Sequence, residues 1–440
     1  MTNSAIQDVP VGAEPGTVPW VLSGRSEAGL HAQASRLLAR LDSDSARNVL
    51  DDVAEVGRSL VAVGAANEYR AVVLGRDRTE LLAGLRALAE GQSAANVVSG
   101  RAPKQVRGDI RPVFVFPGQG TQWVGMAVEL LDTSAVFAES IRDCERALSP
   151  HVSWSLEDVL RGVPGCPPLD RVDVVQPVLF SMMLSLARLW RSFGVEPAAA
   201  VGHSQGEIVA AHVAGALSLE DAARIVALRS QALMKICGRG EMLTVLAPGE
   251  QVRAMLADWD GALSVAAVNG PATITVSGDT AAMTEFGAAL SAARMMRWRL
   301  PGVDFAAHSA HVEDLRDTLL DLAAEATPVR STVPFYSTVT GQRIQTDELD
   351  AEYWYRNLRQ TVRFADAVRA LAEDGHTLFV ECSAQPVLTV GMQDIVDELG
   401  RSAVLMATLR NEDGGMGRFF AALAESYVQG VAVDWTAAFE

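Results

Sequence analysis

Hydrophobic patterning changes texture three times along the chain. Across residues 18–90, short apolar runs alternate with stretches of helical period. Strands are predicted at 19–23 and 69–74, and helices at 26–41, near 45–59 and at 76–90, which together make an α/β unit. Residues 1–16 are rich in Gly, Pro, Ser and Thr and read as a flexible lead-in. The Ala/Ser/Gly-rich stretch 91–111, carrying Lys104, Arg107 and Arg111, reads as a connection between units.

A second texture opens with the buried-strand run Val113-Phe114-Val115-Phe116, followed at once by Pro117-Gly118-Gln119-Gly120 and a helix near Met126. Residues 179–193 are apolar with helical period, 198–201 predict a strand, and 205–214 predict the helix leaving it. Ser218-x-x-Asp221 is a capping box for a further helix, through Arg229 to about Ile236. This alternation predicts a mainly parallel sheet covered by helices. From 241 to 300 the pattern shortens. Strands at 243–247, 264–268, 273–277 and 295–300, with helices at 248–259 and 280–292, predict a small inserted α+β unit of split β-α-β type. The sheet texture resumes from 309 to 409.

Composition narrows the function classes. A formal net charge of -17 over 440 residues disfavours nucleic acid, which demands concentrated Lys and Arg. Two arginine clusters, at 294, 297 and 299 and at 356, 359 and 363, offer local basic patches or simply solvated faces. Cys144, Cys166, Cys237 and Cys382 form no C-x-x-C pair, so neither a zinc site nor a disulfide framework is expected, and a reducing cytosol fits. No secretory leader is apparent in residues 1–19. The most apolar stretch, 172–190, is broken by Asp173, Gln176, Pro177, Ser181 and Arg188, so membrane insertion is not expected either.

The chemistry concentrates at Val201-Gly202-His203-Ser204-Gln205-Gly206-Glu207, where an apolar strand feeds Gly-x-Ser-x-Gly. That pattern presents a serine hydroxyl on a sharp strand-to-helix turn and leaves the next backbone N–H free for an oxyanion. Ser204 is the candidate nucleophile. Among seven histidines, His308 falls in a junction loop where the insertion returns to the main unit, within reach of the sheet's carboxyl edge. His203 is adjacent to the serine and aimed elsewhere, and His311 belongs to the following helical turn. Asp304 is near His308 in sequence. A triad through it and a dyad oriented by a backbone carbonyl are equally compatible. The loop Gly118-Gln119-Gly120 offers a second oxyanion N–H, or is a plain βα turn. Arg229 sits in the apolar run Ile225-Val226-Ala227-Leu228-Arg229, where a guanidinium needs an anion: a substrate carboxylate or an internal acid.

Taken in order, Val115-Phe116-Pro117-Gly118-Gln119-Gly120-Thr121-Gln122-Trp123, Gln176-Pro177, Gly202-His203-Ser204-Gln205-Gly206-Glu207, Arg229 and Ala307-His308-Ser309 resemble the acyltransferase domains of modular polyketide synthases. The resemblance implies a large α/β-hydrolase-like subdomain with a parallel sheet (111–238 and 304–405) and an inserted ferredoxin-like small subdomain (239–303). It also implies an N-terminal α/β linker domain (17–110) joining a ketosynthase, and a post-acyltransferase linker (406–440). It makes Ser204 the nucleophile and His308 the base. Gln119 and Gln205 would line the oxyanion hole, and Arg229 would hold the free carboxylate of a malonyl-type thioester. Asn357 would lie in the segment whose backbone carbonyl orients the histidine. The implied substrates are a coenzyme A thioester and the phosphopantetheine thiol of an acyl carrier protein, with no bound metal or redox cofactor.

In such domains the four residues ending at the histidine track the α-substituent, His-Ala-Phe-His with malonyl and Tyr-Ala-Ser-His with methylmalonyl. Here they are Phe305-Ala306-Ala307-His308. With Gln205, the small Ala307 leaves room for a branched unit, so methylmalonyl or a larger 2-alkylmalonyl group is expected. Ser383-Ala384-Gln385-Pro386 stands where relatives commonly have Ser-Pro-His-Pro. A malonyl-specific transferase and a serine thioesterase or esterase are the alternatives. The latter shares the elbow and the dyad but uses water as acceptor.

Overall fold

The computed structural model describes residues 16–41, 52–64, 66–103, 110–259 and 261–439. The chain divides into two units, one running to Pro103 and including the residues from Ala438 onward, the other spanning Lys104–Ala437.

In the first unit β1 (Val18–Gly24), β2 (Tyr69–Gly75) and β3 (Val97–Arg101) form an antiparallel sheet in that order. Helices Glu27–Leu41, Val53–Val63 and Arg78–Ala89 accompany it. Trp20, Leu22, Val73, Leu81 and Leu85 are buried together between sheet and helices. Two expectations change here. The stretch 91–111 is not merely a connection, because Val97–Arg101 pairs with β2; its half-exposed, glycine-containing sequence hid the edge strand. The helix expected near 45–59 starts at Val53, capped by the Asp52 side chain, and residues 42–51 lie outside the described ones.

The second unit holds two sheets. Its strands are β4 (Val113–Phe116), β5 (Ala199–Gly202), β6 (Gly240–Leu246), β7 (Leu263–Gly270), β8 (Thr273–Asp279), β9 (Met296–Arg299), β10 (Phe335–Ser337), β11 (Gln342–Ile344), β12 (Leu378–Glu381) and β13 (Val404–Ala407). The larger sheet runs β11-β10-β5-β4-β12-β13, parallel except for the edge strand β11. The smaller runs β7-β8-β6-β9, wholly antiparallel, with helices Gly249–Leu256 and Thr280–Ala292 as its two crossovers. That order is the ferredoxin-like one, inserted into an α/β-hydrolase-like sheet.

The strands buried on both faces read as continuous apolar runs, as a parallel sheet demands. Helix Val172–Ser192 begins seven residues before the periodic stretch at 179 and carries Pro177 inside it, the burial of this face outweighing the backbone hydrogen bond that proline cannot donate. This helix is long and apolar enough to cross a membrane, yet 89% of its most apolar 18-residue window is buried inside the protein, as for a core helix. Its early start carries Gln176 into the interior.

The register places the chemistry. Phe116 lies opposite Gly202 where the parallel strands β4 and β5 end, so the loops leaving them emerge side by side at the carboxyl edge. Strand β7 of the small sheet is also tied to the large subdomain. Val268 N–H donates to the Val362 carbonyl at 3.0 Å, and Val362 N–H donates to that of Ala266 at 2.8 Å.

Candidate active site

The turn after β5 is forced by close packing. A Cβ on Gly202 would stand 2.2 Å from the Glu207 nitrogen, and one on Gly206 would stand 2.1 Å from the Phe116 carbonyl oxygen. Neither contact is tolerable, so only glycine lets helix Gly206–Ala214 start against β4. The backbone strain falls on Ser204 itself, whose φ of 53° is left-handed. The glycines thus supply clearance, and the serine takes the unfavourable dihedral.

Ser204 Oγ lies 2.9 Å from His308 Nε2. His308 is also left-handed, at φ 57°, and its ring Nδ1 donates to the Gln360 carbonyl at 2.8 Å. That bond fixes the tautomer with Nε2 unprotonated and facing the serine. Burial, reinforced by the charge of Arg229, lowers the His308 pKa to about 3, so the imidazole is neutral and able to accept a proton. Asp304 is no part of this arrangement. Its carbonyl accepts from Gly238 N–H, leaving the backbone-oriented pair as the geometry present. His203 turns away to Asn269 Oδ1 at 2.8 Å, and His311 sits in the next 3-10 turn facing Asp279.

Arg229 is fully buried on helix Leu219–Leu233. Its Nη1 donates to Asn357 Oδ1 at 2.7 Å and its Nη2 to Ser204 Oγ at 3.2 Å, while Nε is buried without a partner. It makes no ion pair with any described carboxylate, and burial lowers its pKa to about 10, leaving it a cation. Asn357 lies in the segment expected to orient the histidine, and the oxygen left open there is that of Gln360. Asn357 itself is on helix Ala351–Arg359, where its side chain holds the arginine, and the carbonyl serving His308 comes three residues later, beyond the helix end.

Gln119 and Gln205 both line the site cavity. Their backbone N–H groups have no acceptor among the described residues, as oxyanion donors require. The Gln119 side chain itself reaches across to the Gly302 carbonyl at 3.1 Å. Both polar atoms of the Gln205 amide, and Oε1 of Gln176, are buried without partners. The 383–386 segment braces the first loop: Gln385 Nε2 donates to the Gly120 carbonyl at 3.3 Å, and Trp123 Nε1 donates to that of Ala384 at 3.1 Å. The departure at Gln385 therefore touches the loop that carries Gln119.

These groups open on a cavity of about 440 Å³ between the two sheets, walled by Met242, Trp298, Leu300, Phe305, Ala307 and Leu358. Ala306, expected beside Phe305 and Ala307, does not line it. It is fully buried against Gly240, where a Cβ would stand 2.6 Å from that of Ala306.

The model of the acyl transferase domain matches residues 113–433, which contain every residue of this site. The chain belongs to the acyl transferase domain family. It is similar to polyketide synthase GfsB of Streptomyces halstedii, 52% identical over 426 residues, covering 96% of this chain and 8% of that protein. The chain thus spans under a tenth of that relative. The acyltransferase domain from module 8 of the salinomycin polyketide synthase superposes with a TM-score of 0.89 at 49% identity, covering 96% of this chain and 98% of the other. That of SpnD, solved with 2-(pent-4-yn-1-yl)malonyl, gives 0.82 at 27% identity over 97% and 98%. The protein is an acyltransferase domain of the modular polyketide synthase kind.

Sequence reasoning passed over Gln360, because a backbone carbonyl leaves no side-chain signature. It also passed over Glu207, although a carboxylate in the apolar run Gly206–Ala214 was the signal available.

Proposed function

We propose that this acyltransferase domain moves a carboxylated extender unit, methylmalonyl or a larger 2-alkylmalonyl group, from coenzyme A to Ser204. The phosphopantetheine thiol of an acyl carrier protein then removes it. The observation that carries this reading is Arg229: a buried cation 3.2 Å from the Ser204 hydroxyl with no carboxylate of its own. A free carboxylate on the acyl group supplies that missing anion, with a planar fork suited to it.

His308 Nε2 takes the Ser204 proton as Oγ attacks the thioester carbonyl. The resulting oxyanion accepts from the backbone N–H groups of Gln119 and Gln205. Collapse of this intermediate breaks the C–S bond, and the imidazolium returns its proton to the departing thiol. The second thiol reverses these steps, giving its own proton to His308 and regenerating the serine. No metal or redox cofactor enters this balance. The thiol acceptor distinguishes the reading from a thioesterase, which would use water. The first unit and the C-terminal tail fit the roles of linkers to a ketosynthase and to the rest of a cytoplasmic synthase, whose carrier domain is the acceptor.

Ala307 on the cavity wall, backed by Phe305, leaves room for an α-alkyl branch. Discrimination of one methylene in such a pocket is worth only about 1–3 kcal/mol, so neighbouring chain lengths should compete. Intact mass after exposure to equal malonyl-, methylmalonyl- and longer alkylmalonyl-coenzyme A reads this directly. The expected adduct on Ser204 is a branched acyl group, and Ala307→Phe should shift the adduct toward malonyl by about tenfold or more. A malonyl adduct alone on the unaltered protein overturns the branched assignment, and hydrolysis unaffected by carrier protein overturns transfer.

A further inference from the structure

Glu207 lies one helical turn from the nucleophile and is fully buried. Its Oε1 accepts from the Thr338 backbone N–H and, at 2.9 Å, from the Thr338 hydroxyl. Its Oε2 accepts from the Tyr353 hydroxyl and from Asn357 Nδ2, each at 2.7 Å. Burial pushes the carboxyl's pKa up, while these four donors pull it back. A buried carboxylate and a buried guanidinium therefore share one small region, and they are not in contact. Asn357 stands between them, its amide oxygen on Arg229 and its amide nitrogen on Glu207.

Direct pairing is the arrangement two such groups ordinarily adopt, since each otherwise bears an uncompensated desolvation cost. The interposed amide satisfies one atom on each side without neutralising either charge. It leaves the guanidinium with a distant countercharge and an unsatisfied Nε. We propose that Asn357 is a specificity-determining positioning residue: a neutral spacer that keeps Glu207 off Arg229, so that the cation stays available to the carboxylate of the acyl group. This rests on the carboxylate-clamp reading of Arg229 above.

The spacer role predicts what a carboxylate at 357 does. Asn357→Asp combined with Glu207→Gln keeps one buried acid and one buried amide but exchanges their places, bringing the acid into direct contact with the guanidinium. The measurement is kcat/KM for loading Ser204 from methylmalonyl-coenzyme A and from propionyl-coenzyme A, which differ by the carboxylate alone. In the double variant the methylmalonyl-to-propionyl ratio is expected to fall about 100-fold, because the internal acid now occupies the fork. Glu207→Gln alone, which removes the competing charge and keeps its hydrogen-bonding shape, is expected to hold or raise the ratio. Circular dichroism and a melting curve establish that each variant is folded; if the double variant is not, the Glu207→Gln ratio decides, and a fall of tenfold or more overturns the proposal. Equal losses on both substrates in the folded double variant also overturn it, since a merely structural asparagine would act on both alike. Arg229→Ala in the same assay separates the two levels. A ratio unchanged there defeats the clamp itself, whereas a collapsed ratio there with an unchanged one in the double variant defeats only the spacer.

Discussion

His308→Asn is expected to slow acylation of Ser204 by about four orders of magnitude while leaving the fold intact. Asparagine is the informative replacement because it tolerates the left-handed backbone that His308 occupies, which alanine does poorly. It cannot take a proton from the serine. The accompanying pH profile has a definite sign. In the empty site the His308 pKa is lowered to about 3, first by burial and then by the nearby Arg229 charge. The imidazole is thus deprotonated at every pH above about 4, and kcat/KM, which reports the free enzyme, should show no acid limb near 6.5. A bound carboxylate offsets the guanidinium and removes part of that depression. The acid limb of kcat should therefore lie at higher pH than that of kcat/KM. A single limb near 6.5 in both profiles, or a loss below tenfold in the variant, would sink the base assignment. The measurement is pre-steady-state acylation followed by mass, with a melting curve as control.

The fold was legible wherever burial dictates pattern. The apolar runs at β4 and β5, the alternating short strands of the insertion and the capping box at Ser218 all correspond to elements seen. What escaped was set by tertiary contact. β3 is half-exposed and exists because β2 offers it an edge, and Pro177 is carried inside a helix whose packing outweighs its local cost. The site divides the same way. Ser204 was readable because the elbow needs glycines on both sides, and the structure shows their reason to be the 2.1 and 2.2 Å approaches. Arg229 was readable as a charge in an apolar run. Whether it paired with an internal acid depended on Asn357, more than a hundred residues away, and which oxygen reached His308 was likewise set by tertiary contact. Ala306 packs against Gly240 instead of lining the cavity, a tertiary contact with no mark in the local pattern.

Arg229→Ala is the second large effect, and its size depends on the substrate. For methylmalonyl-coenzyme A, kcat/KM should fall about 10³-fold, the size expected when one partner of a buried, hydrogen-bonded charge pair is removed. For propionyl-coenzyme A it should fall far less, because that acyl group offers the guanidinium nothing to hold. The preference should therefore invert. Lysine is not expected to rescue it: Arg229 spans Asn357 Oδ1 and Ser204 Oγ with separate nitrogens, and a single ammonium cannot hold both while meeting a carboxylate. The same variant carries an independent signature on His308. Removing the guanidinium leaves burial as the main force on the imidazole, so its pKa should rise from about 3 toward, without reaching, the ordinary 6.5. The acid limb of kcat/KM should then move up into the accessible range for propionyl transfer. Equal losses on both substrates would mean that Arg229 only supports the serine turn. A lost preference with an unmoved acid limb would keep the clamp and discard its electrostatic hold on the base.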